Sequence, residues 1–164
     1  MPLRQPATLV APILIGAARV ALGGLWLNEG ITKLHAGFGA ADILLVADRA
    51  TAEGRIPDYF AWFAGAVMQP LAPLFGVGIP LLETALGVLL ILGLVTLPAA
   101  LASLGTLLLY WSSDQLIDQY PVMAALSGLV ICLPLAAGRF SATELLLRWR
   151  IGAPPPTPRV RRWI

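Results

Sequence analysis

The chain has 164 residues, 58% of them hydrophobic and 12% charged, with a net charge of +2 and a mean hydropathy of +0.81. The charged share is about half that of a soluble globular protein, so the composition points to a single domain of the membrane class. It excludes a nucleic-acid-binding role, since the pI near 9.1 comes from cations clustered at one terminus rather than a basic, aromatic-interleaved surface; one cysteine, Cys132, excludes an internal disulfide or CxxC pair, and one histidine, His35, excludes bis-His haem within one chain.

No haem, flavin or metal site is evident, and there is no GxGxxG or Walker motif. Residues 1–8, with Arg4 and two prolines, read as a short tail. The first spanning helix is predicted over residues 9–34, long enough to cross ~30 Å of hydrocarbon with some tilt. Its start resembles a signal peptide. Arg19 ends that short apolar region while the helical pattern continues, which predicts a retained signal-anchor helix. At helical pitch Arg19, Gly23, Trp26, Gly30 and Lys33 fall on one face. Glu29 precedes Lys33 by four residues, the favourable order for an intrahelical ion pair.

Residues 35–72 form the longest connection. Its first part, 40–53, mixes apolar and charged residues as a helix lying on a membrane surface would. Its second part, 57–68, carries Tyr59, Phe60, Trp62 and Phe63, which suits the headgroup belt or a lid over the bundle. The second span is predicted over 74–95 with Glu83 near its middle, then a turn at Thr96, Leu97 and Pro98. The third is predicted over 98–117 and the fourth over 122–139. Ser141 and Glu144 stand at capping-box spacing before an apolar run, which predicts a short interfacial helix. The tail from residue 151 is basic and Pro-rich, hence extended or disordered. The predicted fold is therefore an all-α integral membrane four-helix bundle, with interfacial helices in the first long loop and at the C-terminal end.

Arg4 with Arg139, Arg148, Arg150, Arg159, Arg161 and Arg162 would lie on one side of the membrane, and Lys33, Arg49 and Arg55 on the other. The richer side should be cytoplasmic, so both termini are expected inside.

Arg19 and Glu83 each lie about ten residues into a span, which at ~1.5 Å per residue takes both to the midplane. An unpaired charge there costs ~2.5–3.5 kcal/mol by insertion scales, so the two are expected to contact each other. Such a pair fits either of two roles: glue that fixes helix register, or a polar pocket that binds and protonates a redox headgroup. Gly23 and Gly30, and Gly76 and Gly87 on the Glu83 face, would allow the close approach. Glu29, Lys33 and His35 fit a solvated helix end with snorkelling cations, or else a small-anion site or proton path. Asp114 reads as a solvated cap, level with Lys33 and able to pair with it. Trp26 and Trp111 read as interface or packing aromatics, and Cys132 as a packed small apolar residue.

Arg19-x-x-x-Gly23…Gly30-x-x-Lys33-Leu34, followed by Gly37-Phe38, resembles the first-helix signature of the DoxX/DoxD family. Glu83-x-x-x-Gly87-x-x-Leu90-x-x-Gly93-Leu94 resembles its second, and Ala137-Gly138-Arg139-Phe140 is similar to the end of the DoxD-like branch. The resemblance covers roughly residues 15–147. It implies a four-helix protein of a bacterial or archaeal cytoplasmic membrane. It further implies a subunit of a quinone-linked oxidoreductase of the thiosulfate:quinone type. Quinone would enter from the lipid bilayer toward Trp26, Gly23 and Gly30, with Arg19, Glu83 and Glu29 handling hydrogen bonds and protons. Thiosulfate would be held outside the hydrocarbon by Lys33, His35, Arg49 and Arg55, since a dianion cannot enter it unpaired. The implied partners are the quinone pool and a second redox subunit or larger membrane complex. A contrasting reading is a non-catalytic accessory subunit that docks and stabilises such a complex. A small transporter is disfavoured, because four spans without a repeat or a broken helix make a poor alternating-access device.

Overall fold

The computed structural model describes residues 9–115 and 117–149. The expected N-terminal tail, the basic C-terminal tail and half of the cations used for orientation lie outside the described residues. Eight α-helices follow in order among the described residues: α1 (Val10–His35), α2 (Ala40–Ala52), α3 (Asp58–Phe63), α4 (Ala72–Leu92), α5 (Thr96–Ser112), α6 (Tyr120–Cys132), α7 (Pro134–Ala137) and α8 (Ala142–Trp149). A π-helical turn, Ala64–Met68, continues α3. The described residues contain no strand. Two helices, α1 and α4, are long and apolar enough to cross a membrane; α5 and α6 are apolar but shorter.

Helix ends follow local chemistry. Gly93 adopts φ +70°, the left-handed conformation that glycine reaches without a Cβ penalty, and Leu94 N–H bonds back to Leu89 O at 2.9 Å. This Schellman-type closure stops α4 three residues before the predicted limit. The turn therefore lies at residues 93–95 rather than at Thr96–Pro98, and Pro98 is absorbed into the first turn of α5, where its missing N–H costs nothing. The fourth predicted span is not continuous. It breaks at Leu133, since Pro134 offers no N–H and forces the preceding residue out of the helical region; Leu133 sits at φ −126°, ψ 52°. Ser141 caps α8 as expected, with Glu144 N–H donating to Ser141 Oγ at 3.1 Å, while the Ser141 N–H bonds to Gly138 O.

α1 and α4 run antiparallel at backbone contact. A Cβ on Gly23 would lie 2.9 Å from Gly87 O, and one on Gly30 would lie 2.9 Å from Pro80 O. Gly23, Gly30 and Gly87 thus do what small residues do in membrane interfaces, while Gly76 meets the backbone of Gly39 and Ala40 at the start of α2. α5 and α6 pack together, and α6 also packs on α1. The side chains show an inverted pattern. Leu14, Val20, Leu74, Val77 and Leu81 are exposed, whereas Arg19, Glu83, Ser103 and Ser127 are buried. Buried polar groups are the informative exceptions in any fold, and here they concentrate in the interior of the helix cluster.

The long connection is not a helix lying alone on a surface. Ile43, Ala47 and Ala50 of α2 and Phe60, Ala64 and Met68 of the α3 segment form a second core with Ala72 of α4. Together α2 and α3 cap one end of the bundle. Tyr59 and Trp62 face outward from this cap, and Tyr59 Oη lies 2.5 Å from Ser112 Oγ of α5.

Candidate functional site

The last turns of α1 place Glu29 and Lys33 one above the other, with Lys33 Nζ 3.0 Å from Glu29 Oε2. The glycine contacts set α4 against this stretch so that Glu83 faces Lys33, with Nζ 2.6 Å from Glu83 Oε1. The Glu83 side chain is 0% exposed and that of Lys33 18%. α5 adds Tyr110, whose hydroxyl donates to the same Glu83 oxygen at 2.6 Å and whose ring lies under the Lys33 ammonium, 5.5 Å away. α6 opens with Tyr120, stacked on Tyr110 at 5.4 Å, which donates to Glu29 Oε2 at 3.3 Å. Gln119 Nε2 donates to the other Glu29 oxygen. Among the described residues, Glu83 Oε2 is buried without a hydrogen-bond partner. The result is a carboxylate–ammonium–carboxylate row clasped by two tyrosines.

Lys33 and Tyr110 also form the polar end of an apolar slot of about 140 Å³ between the helices and the α2–α3 cap. Phe38, Phe60, Phe63 and Phe75 line it. A second cavity, also about 140 Å³, shares Val46, Ser113 and Gln115 with the slot and is edged by Arg49, Glu53 and Asp114. It forms a polar mouth beside the apolar chamber.

The expected contact between Arg19 and Glu83 does not exist. Arg19 Nη1 donates to Leu90 O at 2.5 Å and Ile91 O at 3.2 Å, and Nη2 to Phe140 O at 3.3 Å. The guanidinium thus caps the C-terminus of α4, where free carbonyls and the helix dipole favour a cation. Counting residues from each helix end assumes the ends are level. The glycine contacts instead set Gly30 against Pro80 and Thr84, which puts Glu83 level with residue 29, ten residues or roughly 15 Å from Arg19 at 1.5 Å per residue and within reach of Lys33.

The expected quinone pocket at Trp26, Gly23 and Gly30 is filled. Gly23 and Gly30 leave no room because α4 backbone occupies it. Trp26 is fully buried and donates from Nε1 to Ser103 Oγ at 2.6 Å. Ser103 bonds Ser127 Oγ at 2.8 Å, and Ser127 donates to Met123 O. Since the Ser127 proton is committed, Ser103 is the donor to Ser127 and the chain is fully ordered. Lys33 is no snorkelling helix end, being held between two carboxylates. Asp114 pairs with Arg55 rather than Lys33. Arg49 and Asp114 edge the same mouth, while His35 is exposed at the end of α1. Lys33 and Arg49 thus line adjoining cavities and Arg55 is held at the mouth by Asp114, with His35 on the exposed helix end. Cys132 is exposed, not packed.

Tyr110, Tyr120, Gln119 and Phe75 were not singled out by sequence, and Phe60 and Phe63 were read only as aromatics of a headgroup belt or a lid. The available signal was a hydroxyl or amide at the end of each apolar run, level with the outer end of the first.

The DoxX family model matches residues 14–113. No curated protein and no solved structure matches the chain.

Proposed function

The chain belongs to the DoxX family, a family of membrane proteins, and from that premise we propose that it is the membrane subunit of a quinone-linked oxidoreductase of the DoxD-like kind. The observation that carries this reading is the aromatic slot that ends on Lys33 and Tyr110. An ammonium has three N–H donors; two serve Glu29 and Glu83, and the third is available to a quinone carbonyl. The Tyr110 proton goes to Glu83, so its oxygen is free to accept from a quinol hydroxyl. Apolar walls with a few convergent polar groups are the usual form of a small-molecule site. The residues proposed for the headgroup are therefore Lys33, Tyr110 and Glu83, in place of Arg19 and Trp26.

In this reading α1, α4, α5 and the α6–α7 pair are the four spans of a bundle in a bacterial or archaeal cytoplasmic membrane, with both termini inside. The quinone comes from the lipid bilayer and the electrons from a second redox subunit. The break at Leu133 falls at the end of α6 away from Tyr120 and Glu29, so it lends the transporter reading no ligand site.

The test uses the full chain in nanodiscs. Decylubiquinone should quench tryptophan fluorescence saturably. Leu109→Trp places a large ring on an exposed slot-lining residue and should weaken binding at least about tenfold, the effect of losing about 1.4 kcal/mol. Absence of saturable binding by the unaltered protein would overturn the reading. The exposed Tyr59 and Trp62 of the cap favour one alternative, an accessory subunit docked to a larger complex; stoichiometric co-purification with a partner and no quinone would establish it.

A further inference from the structure

We infer that Glu29, Lys33 and Glu83 form a one-sided proton relay joining the buried Glu83 to water at the α5–α6 turn, on the side of Lys33 away from the apolar slot. Its geometry is continuous. Glu83 Oε1 lies 2.6 Å from Lys33 Nζ, which lies 3.0 Å from Glu29 Oε2. Glu83 is fully buried, whereas Lys33 and Glu29 are 18% and 12% exposed. Beyond Glu29 stand Gln119 and Tyr120, both bonded to it, at the mouth of the turn that carries the exposed Asp118.

The transfer balances. Water at the turn first protonates the Glu29 carboxylate. An N–H bond of the Lys33 ammonium then breaks as an O–H bond forms on Glu83 Oε1, the proton of Glu29 passes to the neutral amine, and Glu29 returns to the carboxylate; rotation of the Glu83 carboxyl carries its proton to the Oε2 position. The row has two carboxylates and one ammonium, so it takes up one proton without acquiring net positive charge. The unpartnered Glu83 Oε2 leaves an oxygen on which that proton rests once Oε1 is occupied by Lys33 and Tyr110.

The relay has no continuation toward the other end of the bundle. The groups facing the row are Glu29 and Lys33 on α1, Glu83 on α4, Tyr110 on α5, and Gln119 and Tyr120 at the start of α6. Below them the described residues offer Leu22, Leu86, Leu90, Met123 and Val130. The Trp26–Ser103–Ser127 chain ends on a backbone carbonyl. Arg19 follows, facing peptide oxygens that neither give nor take a proton. Protons therefore exchange with the α5–α6 side only. The relay itself stands on these contacts; its service to a quinone, which takes two electrons and two protons to become quinol, rests on the function proposed above.

The experiment contains no quinone, so the two ideas fail separately. The full chain in nanodiscs receives a flash-released proton, and infrared difference spectra follow the carboxylic C=O band of Glu83, identified by its loss in Glu83→Gln. Glu29→Gln keeps a hydrogen-bonding group but carries no proton, and should slow the rise of that band at least about tenfold. Added formate should restore the rate, which a merely structural defect would not allow. Gln119→Leu, milder for the fold, should slow it in the same sense. Leu109→Trp, which obstructs the slot, should leave it unchanged. A wild-type rate in Glu29→Gln, slowing by Leu109→Trp alone, or no titrating Glu83 band would each overturn the relay.

Discussion

Lys33→Met should destabilise the chain more than Glu83→Gln, and the two substitutions should be strongly coupled. The Lys33–Glu83 contact is 2.6 Å and its carboxylate is fully buried. At an effective dielectric near 20, two unit charges at that distance attract by about 6 kcal/mol, most of which is offset by the cost of drying both groups. Lys33→Met removes the attraction and leaves the drying cost of Glu83 in place, with Glu29 also unpaired. That loss should be about 3–5 kcal/mol. Glu83→Gln leaves Lys33 with Glu29 and keeps an acceptor for Tyr110, so about 1–3 kcal/mol is expected. The double variant should cost less than the sum of the singles by about 2 kcal/mol. The same cycle with Arg19→Met and Glu83→Gln should add within about 0.5 kcal/mol, because the two sites share no partner. Reversible unfolding in mixed micelles, followed by tryptophan fluorescence, measures all of these. Additivity at Lys33 and Glu83 together with coupling at Arg19 and Glu83 would refute the α1–α4 register on which the site depends.

Gly23→Ala and Gly30→Ala should each cost about 1–3 kcal/mol by forcing α1 from α4, whereas Gly24→Ala, whose Cβ would meet nothing within 4 Å, should be neutral or stabilise by up to about 1 kcal/mol; equal melting shifts for all three would refute the close approach. On a Cys132→Ala background, cysteines placed at Glu53 and Asp118 should react with an impermeant maleimide added to intact cells, and one at Arg139 should not. Labelling at Arg139 alone would reverse the proposed orientation.

The sequence was legible wherever the cause is local. Gly76, Gly87, Gly23 and Gly30 were assigned to the right faces because helical pitch alone decides faces. Ser141 and Glu144 announced α8 because a capping box involves only neighbours in the chain. Depth was not legible. Pitch says which way Glu83 points but not how far α4 slides along α1, and a slide of nearly three turns exchanges Arg19 for Lys33 as its partner. The partners of Arg19 are peptide carbonyls, present at every residue and therefore invisible to any reading of residue types. The slot was hidden for a related reason. Tyr59 and Trp62 do face outward as a belt would, but Phe60 and Phe63 beside them turn inward, and α3 is too short for periodicity to separate the two pairs.

The register also changes what the buried charges are for. Arg19 and Glu83 looked like two halves of one device, each the reason the other could be tolerated in an apolar interior. They are two devices at different depths of α4, and the chemistry of their partners tells them apart. Arg19 is satisfied by backbone oxygens that cannot be protonated and cannot leave, so it fixes the end of α4 to the segment at Phe140 and does nothing else that its contacts allow. Glu83 is satisfied by an ammonium and a phenol, groups that exchange protons and belong to three different helices with Glu29 and Tyr120 behind them. A variant lacking both Arg19 and Glu83 would thus combine a loosened helix end with an emptied polar row, and its loss of activity would identify neither. Separating structure from chemistry in this fold requires leaving Arg19 alone and altering the row one atom type at a time, carboxylate to amide at Glu29 and at Glu83, so that shape persists and only the capacity to hold a proton is removed.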